Sequence, residues 1–142
     1  MGNDPEAALA GRLRAELCSF VSAAGTRRLL PTTFHLGQPG GDRQSLDDDG
    51  SYDDALRADL VTRMIDALPS DQETEPVPWV TRTGELAATD ADLRWLRASM
   101  AAFSRHGWEL SSFVVITRNG WRNLATEEMR RWHRVRPGRL GA

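Results

Sequence analysis

The chain contains no lysine: all 18 of its basic residues are arginine. Without an ε-amino group there is no Schiff-base chemistry, no Walker-type phosphate loop, no kinase-type ATP lysine and no lysine-dependent nuclease site. Cysteine occurs once, at Cys18, which excludes an internal disulfide and any cysteine-rich zinc site within one chain. Cys18 falls on an apolar helical stripe, where a free cysteine is expected to act as a small core residue. No apolar run approaches the roughly 20 residues that span a bilayer. The opening Met1-Gly2-Asn3-Asp4-Pro5-Glu6 lacks the basic and apolar segments of a secretion signal. These features predict no membrane partner and a cytoplasmic location. His35, His106 and His133 lie on separate segments with no two at ligand spacing, so neither a metal nor a cofactor is expected. No serine or threonine sits in a nucleophile elbow, and no carboxylate pair is placed by local spacing for acid and base roles.

What is present fits one domain. A chain of 142 residues buries about two thirds of the surface its unfolded form exposes, and residues 1–142 read as a single α/β domain. The net charge of −2 hides an asymmetry. Residues 1–76 carry 7 arginines against 14 acids, and residues 77–142 carry 11 against 6. Such a split steers an acidic partner to the C-terminal half, or lets two copies attract each other.

Taken in order, Asp4-Pro5-Glu6 has the form of a helix start. Leu9, Leu13, Leu17, Phe20, Val21 and Ala24 then recur at helical spacing up to Gly25. Leu29 to Leu36 reads as a strand interrupted by Pro31, hence an edge strand or one that begins after it. Residues 38–52 read as a flexible acidic loop. Asp47, Asp49 and Gly50 there fit three positions of a calcium-binding loop, but Ser45 and Leu56 occupy its two ends, where ligands are required. A second helix begins near Asp53, with Leu56, Leu60, Val61, Met64, Ile65 and Leu68 as its apolar face, and stops at Pro69. Val77 to Arg82 reads as the second strand. Thr89-Asp90-Ala91-Asp92 has the form of a capping box, and Leu93, Leu96, Met100 and Phe103 mark the face of the helix it opens. Phe113 to Ile116, apolar throughout, reads as a strand covered on both faces. Met129 to Arg136 fits either an edge strand or a short helix, with the strand favoured, and 137–142 reads as a disordered tail.

Helices alternating with strands predict a small two- or three-layer α/β sandwich. It would have a mainly parallel sheet of three or four strands, three helices and a C-terminal antiparallel edge strand. Ligands bind outside the carboxyl ends of strands in such sheets. Two copies of one pattern fall there, Thr81-Arg82-Thr83-Gly84 and Thr117-Arg118-Asn119-Gly120. If the two strands are neighbours, Arg82 and Arg118, with Gly84 and Gly120 opening the turns, share a rim suited to a phosphate or carboxylate. Turn chemistry alone also accounts for the pattern, and the sequence favours that account.

The other concentration of chemistry is the tail: Trp121, Arg122, Arg130, Arg131, Trp132 and Arg134. Arginine with tryptophan is the composition of a nucleic-acid surface. The acidic pI of about 5.9 and the lack of a known motif favour instead a solvated edge whose tryptophans pack under arginine stems. Trp79 to Gly84, the capped helix through Trp95 and Leu96, Phe113 to Trp121 and the arginine-tryptophan tail together resemble small uncharacterised α/β proteins of G+C-rich actinobacteria. That resemblance implies no activity and no functional residues. The expectation is a non-enzymatic protein-interaction module meeting an acidic partner or a second copy. The alternative is an anion-binding or catalytic domain built on Arg82 and Arg118.

Overall fold

The computed structural model describes residues 5–69 and 74–132. Along the described chain the elements are α1 (Pro5–Ala24), β1 (Thr32–Gly37), β2 (Arg43–Asp48), α2 (Asp54–Asp66), β3 (Val77–Thr81), α3 (Asp90–Arg105), β4 (Val114–Thr117), β5 (Gly120–Asn123) and β6 (Met129–Arg131). The six strands form one sheet in the order β2-β1-β3-β4-β5-β6. Helix α1 packs on one face, and α2 and α3 pack on the other and against each other.

The expected mainly parallel sheet of three or four strands is therefore incorrect. The sheet is mixed, and only β3 and β4 pair in parallel, with α3 as their crossover. The other four pairings are antiparallel. Two unread strands cause the difference. Residues 38–52 hold β2, which forms a hairpin with β1, and the segment after Thr117 holds β5, which forms a hairpin with β4. Helix α2 does connect strands that run the same way, β2 and β3, but β1 lies between them and opposes both.

Alternation along the strands divides the core in two. Val77, Trp79, Val114, Ile116 and Trp121 meet Leu13, Leu17 and Val21 of α1. Phe34, Leu36, Val80, Phe113 and Val115 meet Val61, Ile65, Trp95 and Phe103 of the opposite helices. All of β4 is buried, in keeping with its apolar residues Val114 to Ile116. Each such side chain contributes about 1.5–3 kcal/mol by leaving water.

Local signals set the element ends. Asp53 caps α2 by accepting from the Leu56 N–H, and Thr89 and Asp92 form the capping box of α3. Gly25 closes α1 at φ +58°. Strand β1 begins after Pro31, as expected of a residue without a donor, yet it is an interior strand. Pro78 is tolerated in β3 because its missing N–H falls on the β4 side, one residue before β4 pairing begins at Trp79. The apolar face expected of α3 is displaced. Leu93 and Met100 are exposed, while Asp92, Trp95, Ser99, Ala102 and Phe103 are buried. Leu56 of α2 is likewise exposed, and Arg57 is buried over the Trp95 ring. Cys18 is half-buried. Among the described residues no helix is long and apolar enough to cross a membrane. Asp4 and the expected tail at 137–142 lie outside the described residues.

Candidate functional site

The two Thr-Arg-x-Gly turns lie side by side because β3 and β4 are neighbours, and the Asn119 side-chain amide donates to the Gly84 carbonyl at 3.1 Å. Their arginines nevertheless part. Thr81 sits opposite Ile116, not opposite Thr117, so the two motifs are offset by one residue. A one-residue offset in a pleated sheet sends equivalent side chains to opposite faces. Arg82 turns toward α3, where Nε and Nη2 donate to Asp92 at 3.0 and 2.7 Å. Nη1 also donates to the Thr83 carbonyl and Nη2 to that of Ala87. Arg82 is buried and Asp92 fully so. Arg118 turns the other way and donates to the Gly25 and Arg27 carbonyls at 2.9 and 2.6 Å, tying the end of α1 to the sheet. Gly84 and Gly120 both have positive φ, +104° and +135°. At Gly120 a Cβ would collide with the Arg130 carbonyl oxygen, so this glycine admits the β6 backbone.

The tail residues separate as well. Trp121 is buried under α1, its ring 6.3 Å from that of Trp132. Trp132 is half-buried, with the Arg14 guanidinium 5.2 Å from its centroid. Arg122 meets Glu127 at 3.1 Å and Arg131 meets Glu85 at 3.6 Å. Met129 to Arg131 is a strand, and all three residues are exposed. Arg134 lies outside the described residues.

A polar cluster on β1 and β2 brings together residues that the linear pattern keeps apart. His35 is stacked on Trp79 with centroids 5.0 Å apart. Its Nδ1 is 2.7 Å from the Ser45 hydroxyl and its Nε2 2.8 Å from that of Thr81. Burial lowers its pKa to about 4, outweighing the opposing pull of Glu16. The Arg43 guanidinium lies 5.0 Å from the Trp79 centroid and meets Glu16 at 2.6 Å. Burial by itself would raise the Glu16 pKa, but Arg43 and the Gly40 N–H bring it below the usual carboxylate range. The hydroxyl-imidazole-hydroxyl chain resembles an activated nucleophile in outline. An imidazole with a pKa near 4 is too weak a base for that work at neutral pH, and the cluster joins β1, β2 and β3. The acids of β2 and the turn after it have local duties. Asp47 accepts from Thr33, Asp48 from the Trp95 indole, and Asp49 from Ser51.

At the opposite end of the sheet from the arginine turns, α2 and α3 both finish beside a cleft of about 590 Å³. Ile65, Leu68 and Pro76 give it apolar walls; Asp66, Glu75 and Glu109 give it carboxylates. His106, the C-cap of α3, reaches the Ala102 carbonyl through Nδ1 and Asp66 through Nε2, both at 2.9 Å. These two acceptors raise its pKa, the carbonyl first. Trp108, 43% exposed, lies against His106 at 5.2 Å and edge-on to Phe103. The sequence places His106 at a helix end, but nothing in its order reveals that Glu75 and Trp108 line one cleft.

No family model matches this chain, no curated protein matches its sequence, and no solved structure matches its fold.

Proposed function

We propose that the chain is a non-enzymatic, cytoplasmic protein-interaction module that associates through the two edges of its sheet, β2 and β6, each unpaired on its outer side among the described residues. One observation carries this reading: the edges run the same way and bear opposite charge. Strand β2 is parallel in direction to β3 and β4, and so is β6, as the pairings require. Asp47 lies on the α1 face beside Thr33, and Asp48 lies on the other face against Trp95. Arg130 lies on the α1 face opposite Trp121, and Arg131 on the other. A second copy set alongside in the same orientation brings Asp47 to Arg130 and Asp48 to Arg131, extending the sheet by one parallel pairing. Unpaired edge strands are templates for such addition, and complementary charge selects the acidic edge over other strands. The alternative, a phosphorylated-ligand site on Arg82 and Arg118, draws no support from geometry, because those guanidinium groups point to opposite faces and already hold protein oxygens.

Sedimentation velocity over a wide concentration range tests the reading. Concentration-dependent association at low salt, weakened at about 0.5 M salt where charges are screened beyond a few ångströms, is the expected result. Asp47→Arg and Arg130→Asp each abolish it, and mixing the two variants restores a complex. A monomer at every concentration in low salt, or association that both variants leave unchanged, overturns the proposal.

A further inference from the structure

We infer that the cleft where α2 and α3 end is a binding site for the guanidinium side chain of an arginine-bearing peptide. Its volume of about 590 Å³ lies within the range of small-ligand pockets. Among the described residues its lining contains Asp66, Glu75 and Glu109 but no arginine, in a chain with 18 of them. The basic group present, His106, is engaged by Asp66, and nearby Arg105 is held by Asp59 and Thr62 on the side of α2. Both helices present their C-terminal, electronegative ends here, which adds to the attraction for a cation.

The arrangement selects the kind of cation. Among the described residues no group of three or more His, Cys, Asp or Glu side chains is placed to hold a metal ion. A guanidinium is planar and forked and can pair with a carboxylate through two parallel N–H donors, which a compact cation cannot do. The exposed indole of Trp108 offers the face on which a guanidinium stacks. The wall carrying Glu75 is anchored, since the Gln38 side-chain amide donates to the Thr74 and Glu75 carbonyls at 3.3 and 3.2 Å. The aliphatic stem of an arginine would lie along Ile65, Leu68 and Pro76. This site is independent of the sheet edges.

Titration of a blocked tri-arginine peptide into the ¹⁵N-labelled protein, followed by amide and indole N–H shifts, tests the inference. The Arg130→Asp variant is used so that edge association does not contribute. The expected result is saturable movement of the Trp108 indole and of Asp66 to Leu68 and Glu75, with a dissociation constant on the order of 1 mM or below. Replacing Glu75 and Glu109 by glutamine weakens binding about tenfold, and Trp108→Ala about fivefold. Unchanged spectra away from the cleft verify that these surface variants fold. Absence of shifts, shifts confined to the Asp47–Asp49 region, or equal affinity in the glutamine variant overturns the inference.

Discussion

The two Thr-Arg-x-Gly turns share three residues in four and a common end of the sheet, yet they perform different work. In the first, Arg82 is withdrawn from solvent and paired with the fully buried Asp92, which also completes the capping box of α3. In the second, Arg118 stays at the surface and clasps the end of α1 through two carbonyls. The threonines divide in the same way. Thr81 holds the buried His35, while the Thr117 hydroxyl accepts from the nearby Asn119 N–H. A single residue of register separates these outcomes. A motif on a strand has meaning only together with its pairing partner.

The largest test of the contrast is Asp92→Ala. It leaves the Arg82 guanidinium buried without its carboxylate, and unfolding in urea is expected to show a loss of about 3–5 kcal/mol. Arg118→Ala removes exposed hydrogen bonds and is expected to lose about 1 kcal/mol. Equal losses would break the comparison. Replacing Arg82 and Asp92 together by methionine and leucine should recover much of the deficit, because no lone buried charge remains.

Acid sensitivity belongs to the first turn as well. The folded-state pKa of His35 is about 4 against an ordinary value of 6.5, so the unfolded chain binds the extra proton between these values. Stability therefore falls as pH drops from about 6.5 to about 4, by up to roughly 3 kcal/mol. Glu16, whose pKa is lowered, adds loss in the same direction at the acid end. Urea denaturation across this range should show the slope in the native protein and a flatter one in His35→Gln. A slope unaltered by that change would remove His35 from the account.

Smaller effects distinguish the glycines and the threonines. Gly120→Ala forces a Cβ into the β6 backbone, whereas at Gly84 the nearest obstacle is the end of the Arg82 side chain. The expected losses in thermal unfolding are about 2–3 kcal/mol and about 1 kcal/mol. Thr81→Val strands one His35 nitrogen and should cost about 1–2 kcal/mol, and Thr117→Val about 0.5 kcal/mol. A reversed order within either pair would show that the turns are more alike than their contacts indicate.

Much of the helical framework was legible beforehand, because caps and prolines act over a few residues. Asp53, the Thr89 and Asp92 box, Gly25 and Pro31 all act where the sequence puts them. The buried stripe of α3 departs from the apolar spacing of its sequence. Trp95 has partners far away in sequence, Phe34 and Asp48, and Asp92 is matched by Arg82 on the preceding strand side of the crossover. Strand β2 has no strand signature in the sequence, since Arg43-Gln44-Ser45-Leu46-Asp47-Asp48 has the polarity of a loop, and an edge strand with one partner needs few apolar residues. Strand β5 is four residues after a glycine turn, too short for a period to appear. The cleft had no linear signature, being assembled from the ends of α2 and α3 and the approach to β3.

By itself the sequence determined the three helices, the caps that open α2 and α3, an apolar strand covered on both faces at Phe113 to Ile116 and the exclusion of lysine and disulfide chemistry. These follow from local hydrogen bonding, hydropathy and composition. Only the tertiary structure decided the strand order, the one-residue offset that parts Arg82 from Arg118, the burial of Trp121 and the gathering of Glu75 and Trp108 around one cleft. Each of those depends on which strands pair and in what register, and pairing energy comes from contacts between residues that the linear chain keeps far apart.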